Sequence, residues 1–126
     1  MSKKIIYSEN APEPIGPYSQ AILADDTLYL SGQIAIEKAS GRIINDSIER
    51  ETSQVMTNLQ EVLKSAGMDF SNVVKCTIFL KDMNNFSKVN EIYGQYFTIH
   101  PPARETVEVS RLPKDVNVEI SCIAVL

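Results

Sequence analysis

The sequence is poor in the residues on which most metal and redox chemistry depends. Of its 126 residues, one is histidine and two are cysteine. His100 alone cannot build a histidine metal cluster, and a Ser/His/Asp triad would have to assemble around that single ring. Lying just before Pro101-Pro102, it reads as a helix-end residue. Cys76 and Cys122 fall at the apolar phase of strand-like segments with no Cys-x-x-Cys spacing, which makes them reduced core residues. No stretch approaches the roughly 20 apolar residues of a membrane span. The start, Met-Ser-Lys-Lys-Ile-Ile-Tyr, lacks the apolar run and cleavage site of a secretory signal, so a cytoplasmic protein with no membrane partner is expected. Basic charge is sparse: twelve Lys and Arg against sixteen Asp and Glu give a net charge of −4, and Lys3-Lys4 is the only adjacent basic pair. Nothing resembles a nucleic-acid patch, and no nucleic-acid partner is expected. Ser31 lacks the Gly-x-Ser-x-Gly setting of a nucleophile elbow, which argues against a serine hydrolase.

What is present suits one domain over residues 1–126, long enough for one core and too short for two, with 44% apolar and 22% charged residues. Residues 3–7, 18–23 and 27–31 read as strands, with a proline-rich loop at 10–17 and a turn at Asp25-Asp26. Residues 47–66 carry a helical stripe of Ile48, Val55, Met56, Leu59, Val62, Leu63 and Ala66. Asp46 or Ser47 stands as its cap and Gly67 as its end. Val74, Cys76, Ile78 and Leu80 alternate with polar residues in a further strand. A second helix is expected from about Asn85 to Thr98, with Phe86, Val89, Tyr93, Tyr96 and Phe97 inward and the prolines at 101 and 102 stopping it. This order gives an α+β fold with a six-stranded sheet and both helices on one face.

Residues 101–126 hold the most suggestive chemistry. Alternation on both sides of Leu112-Pro113-Lys114-Asp115 predicts a hairpin with Val107 and Val109 matched to the face of Val116, Val118, Ile120, Cys122 and Ala124. With Val109 opposite Val116, Thr106 falls opposite Glu119 and Arg104 opposite Ser121, so Arg104, Thr106 and Glu119 would share the face away from the core. An arginine there can hold a small carboxylate by a two-pronged hydrogen bond, while a nearby glutamate takes a proton from water. The same pair is also the pattern of a solvated or interfacial salt bridge. Phe79, Ile123 and Val125 share that face, which is too apolar to lie wholly in water, and a homo-oligomer with pockets between subunits resolves this. Gly32, directly after a strand, can offer its backbone amide to a ligand or serve as a turn glycine.

Several short motifs occur in an order that resembles one family throughout the chain. They are Asn-Ala-Pro at 10–12, Ile-Gly-Pro-Tyr at 15–18, Ser-Gly-Gln-Ile at 31–34, Val-Asn at 89–90, Pro-Ala-Arg at 102–104 and Val-Glu-Val-Ser-Arg-Leu-Pro-Lys-Asp-Val at 107–116. The chain thus resembles the reactive intermediate deaminase (Rid, YjgF or L-PSP) family, RidA-like members included. The resemblance implies a chorismate-mutase-like fold, a homotrimer with the sheets inside, and a ligand site in each cleft between subunits. It implies hydrolysis of 2-aminoacrylate, 2-iminopropanoate and 2-iminobutanoate-type imines and enamines to 2-oxo acids and ammonia, without metal or organic cofactor. Arg104 matches the carboxylate-binding arginine, Glu119 the water-orienting glutamate, and Tyr18, Ser31, Gly32 and Asn90 the cleft lining. Thr106 stands where many members have cysteine, which removes a thiol nucleophile and keeps a small hydrogen-bonding group. The competing readings are a non-catalytic trimer that binds small carboxylates, as sensor or chaperone, and the endoribonuclease or translation-inhibitor activity attached to some members. The acidic charge speaks against the latter.

Overall fold

The computed structural model describes residues 2–126. Its strands are β1 Lys3–Ile6, β2 Ala21–Ala24, β3 Thr27–Gln33, β4 Val73–Leu80, β5 Ala103–Glu108 and β6 Val118–Val125. Helix α1, Ile48–Ser65, joins β3 to β4, and α2, Phe86–Gly94, joins β4 to β5. The strands form one six-stranded sheet in the order β1-β2-β3-β6-β4-β5. All neighbours are antiparallel except β4 and β5, which run parallel because α2 carries the chain back between them.

The Asp25-Asp26 turn closes the β2–β3 hairpin, with Asp25 in the left-handed region (φ 52°) that a short polar side chain tolerates. Ser47 caps α1, its Oγ accepting from the Arg50 amide at 3.1 Å, and Gly67 (φ 72°) lets the chain leave the helix. The stripe of Val55, Met56, Leu59, Val62 and Leu63 is completely buried against Leu28, Leu30, Ile78 and Ile120 of the sheet. Each such side chain contributes about 1.5–3 kcal/mol of burial. Val89, Tyr93 and Phe97 join this core from the α2 region, so both helices cover one sheet face. None of the described helices is long and apolar enough to cross a membrane.

Four expectations change. The second helix ends at Gly94, well before the prolines, because Gln95, Tyr96 and Phe97 tighten into turns that bond to Ile92, Tyr93 and Gly94. His100 therefore lies in a loop, with φ 51°, rather than at a helix end. In β4 a bulge between Val73 and Lys75 puts Val73 in the core and leaves Val74 exposed.

The fourth change is topological. β5 and β6 form no hairpin: β6 inserts between β3 and β4, and β5 lies on the far edge of β4. Alternation fixes which residues share a face of one strand but does not name the neighbouring strand. Residues 109–117 are long enough to carry the chain across β4. The register places Arg104 opposite Cys76 and Thr106 opposite Ile78, on the helix-covered face, whereas Glu119 lies opposite Phe79 on the open face. Arg104 and Thr106 are thus on the opposite face from Glu119, and Val107, expected in the core, is 41% exposed.

Candidate functional site

Arg104 is built into the helix-covered side of the edge strand β5. Phe86, Asn90 and Tyr93 recur at helical spacing along one side of α2 and converge on its guanidinium. Asn90 Oδ1 accepts from Arg104 Nη1 at 2.8 Å. The guanidinium carbon stands 5.6 Å from the Phe86 ring centre and 5.0 Å from that of Tyr93, within the range of cation–π attraction. Burial, with the neighbouring Cys76 thiol, pushes the Tyr93 hydroxyl far above its ordinary range, so Tyr93 offers Arg104 a neutral ring and no phenolate. Two residues along β5, the Thr106 hydroxyl is buried with no hydrogen-bond partner. A fixed guanidinium beside an unsatisfied hydroxyl is suited to a small carboxylate, whose oxygens accept from both.

Glu119 occupies a second place, a small open cleft of about 40 Å³ on the other face. Tyr18, Gly32, Ile34, Ile36 and Pro113 contribute to its walls. Gly32 is required by close approach: a Cβ there would stand 2.8 Å from the Glu119 Cδ. The Glu119 carboxyl is half-buried, and burial raises its pKa above the ordinary glutamate value. Neither Glu119 nor Arg104 takes part in a salt bridge among the described residues, so the two form no ion pair within one chain.

The remaining expected residues divide between cleft and scaffold. Tyr18 is 47% exposed at the cleft, and its hydroxyl accepts from the Ile15 amide at 3.2 Å. Ser31 Oγ donates to the Ser19 carbonyl at 2.6 Å, so its hydroxyl holds the segment carrying Tyr18. The sequence reading missed Gln20, which is buried and ties the proline-rich loop to β2, accepting from the Ser8 amide (2.6 Å) and donating to the Pro12 carbonyl (2.9 Å). It also missed Glu51, a fully buried carboxylate of α1 that accepts both the Asn117 amide and Nδ2 at 2.8 Å. The signal for Glu51 was available: it sits three residues after Ile48 and four before Val55, on the apolar stripe.

Comparison with known proteins places this arrangement in context. The sequence model of the family described as endoribonuclease L-PSP matches residues 8–126. A RutC family protein of Pyrococcus horikoshii is 52% identical over 122 residues, covering 97% of each chain. A 2-iminobutanoate/2-iminopropanoate deaminase of Bos taurus is 50% identical over 123 residues, covering 98% of this chain and 90% of the bovine one. Among solved structures, E. coli TdcF with bound serine superposes with a TM-score of 0.93 at 36% identity, covering 98% of both chains. With its motifs, its sheet order and these likenesses spanning nearly its whole length, the chain belongs to the L-PSP family, the Rid/YjgF group that its sequence resembles.

Proposed function

We propose that this protein is a cofactor-independent deaminase that hydrolyses small 2-imino acids and their enamine tautomers, of the 2-aminoacrylate, 2-iminopropanoate and 2-iminobutanoate type, to 2-oxo acids and ammonia. The observation that carries this reading is the half-buried Glu119 carboxylate, seated against Gly32 and in no salt bridge among the described residues of its own chain. A carboxylate with a raised pKa is a better proton acceptor than an exposed one, as activation of water requires. The bovine deaminase relative and the amino acid bound to TdcF, which carries a carboxylate and a nitrogen on one carbon as a 2-imino acid does, support the substrate class.

Arg104, aimed by Asn90, holds the substrate carboxylate together with the Thr106 hydroxyl. Tyr18 and the backbone at Ser31-Gly32 border the imine carbon. Glu119 takes a proton from water as its oxygen adds to that carbon of the protonated imine, then gives it to the amine nitrogen, and as the carbinolamine collapses the hydroxyl proton passes back to Glu119 and on to the departing ammonia. Ammonia leaves and the 2-oxo acid remains. Because Arg104 and Glu119 lie on opposite sheet faces of one chain, the site needs Arg104 of the partner subunit beside this chain's Glu119. A head-to-tail contact of this kind closes into a ring, here a homotrimer, and covers the open sheet face where Tyr29 is 51% exposed.

The test is ammonia and 2-oxo acid release from an imine generated in place by an amino-acid oxidase. Wild type should accelerate release over buffer, Glu119→Gln should lose about a hundredfold or more, and Arg104→Ala should abolish saturation by substrate. No acceleration for several imines would sink the enzyme and leave a carboxylate-binding trimer, whose ligand Arg104→Ala would release.

A further inference from the structure

Glu51 is 0% exposed, yet no Lys, Arg or His forms an ion pair with it among the described residues. A buried carboxylate is costly unless hydrogen-bonded, and both of its oxygens are used on one residue, Asn117. The Asn117 carbonyl in turn accepts from the Lys81 amide at 3.0 Å, so this residue is held from two elements. Asn117 is where a strained loop hands over to a strand. Just before it, Lys114 and Asp115 are two adjacent non-glycine residues at φ 55° and 56°, a conformation that a Cβ disfavours and that surrounding contacts must enforce. Pro113 of that loop and Glu119 of the strand both border the cleft. Two turns further along α1, buried Asn58 donates to the Ile34 and Ile36 carbonyls at 3.0 and 2.9 Å, fixing the opposite wall. Of the three buried polar side chains of this helix, Thr52 bonds back to the Ile48 carbonyl, while Glu51 and Asn58 reach out to the segments that carry the two walls of the cleft.

We propose that Glu51 is a positioning residue for Glu119: by clamping Asn117 it sets the start of β6 and hence the seat of the Glu119 carboxylate, a role that rests on the deaminase reading above. Glu51→Gln keeps the volume and turns one acceptor into an NH2 group facing an Asn117 donor. With Arg104 on the other face, kcat should fall about tenfold to a hundredfold while KM for the imino acid stays within about twofold. Added to Glu119→Gln, the change should have no further effect, since it acts through that carboxylate.

A second readout does not depend on turnover. Glu119, whose cleft also holds Glu13 as the other carboxylate, should titrate by carboxyl-carbon NMR at a shifted pH in Glu51→Gln. If wild type hydrolyses no imine, this titration alone decides. Asn117→Ser, which removes only the side-chain arm, serves if Glu51→Gln does not fold, and should shift the titration in the same direction. An unchanged Glu119 titration with an unchanged kcat, beside a lowered melting temperature, would make Glu51 a stability residue and overturn the proposal.

Discussion

Gly32 and Glu119 press on each other, and the atoms a Gly32 Cβ would meet belong to the end of the glutamate side chain. Gly32→Ala should therefore cost little stability, roughly 0.5 kcal/mol or less, because the carboxylate swings aside, while imine hydrolysis falls as far as in Glu119→Gln. Thermal melts beside the oxidase-coupled assay separate the two effects. Glu119 also links activity to pH and stability in opposite senses. Its folded pKa lies above the ordinary value of 4.5, so the folded state binds the extra proton more tightly. The stability this supplies is complete below the ordinary value and is lost as pH rises through the raised one. In an Arg104→Ala background, which removes the partner's guanidinium from beside the carboxylate, Glu119→Gln should accordingly melt higher than its parent at neutral pH, with the advantage vanishing in acid. Wild-type hydrolysis should weaken as pH falls through the same range. Equal melting temperatures at neutral pH would remove the desolvation argument.

At the scale of the element, α2 and β5 form one device, with Asn90 and two rings holding the Arg104 guanidinium over the edge strand. Asn90→Ala should raise KM about tenfold and lower the melting temperature by several degrees, leaving kcat nearly unchanged, because one charged hydrogen bond of about 1.5–3 kcal/mol is lost at a partly buried position. Much of this scale was legible from the chain alone. Ser47 and Gly67 bounded α1, and the alternation from Val118 to Ala124 marked the buried face of β6. Strand partnership was not legible, since Val107 and Val109 alternate in the same way whether the neighbour is β6 or β4, and only the neighbour decides which face is buried. The face of Arg104 was lost with it, because a half-buried arginine under two aromatic rings looks, in sequence, like an exposed one. Arg104 and Glu119 themselves stood out in sequence as the chemically distinctive residues of the C-terminal segment. Their separation required the register.

For the whole molecule, the opposed faces make assembly a condition of the proposed chemistry. If each site takes Arg104 from one subunit and Glu119 from the next, then Arg104→Ala and Glu119→Gln, each inactive alone, should complement when mixed and reassembled. An equal random mixture restores both groups at about a quarter of the interfaces. Sedimentation should give a trimer at micromolar concentration, and a mixture that regains nothing would place both residues in separate sites.

One more consequence follows from the core. Cys76 and Cys122, the protein's two thiols, face each other across β4 and β6 at 1% and 4% exposure. A thiol-labelling reagent in solution finds no target while the sheet is closed. The rate at which both become labelled should thus time the opening of β4 from β6 and count the molecules that have opened, a clock wound into the centre of the sheet. Rapid labelling of the native protein without loss of structure would show that the two central strands part far more readily than their burial implies.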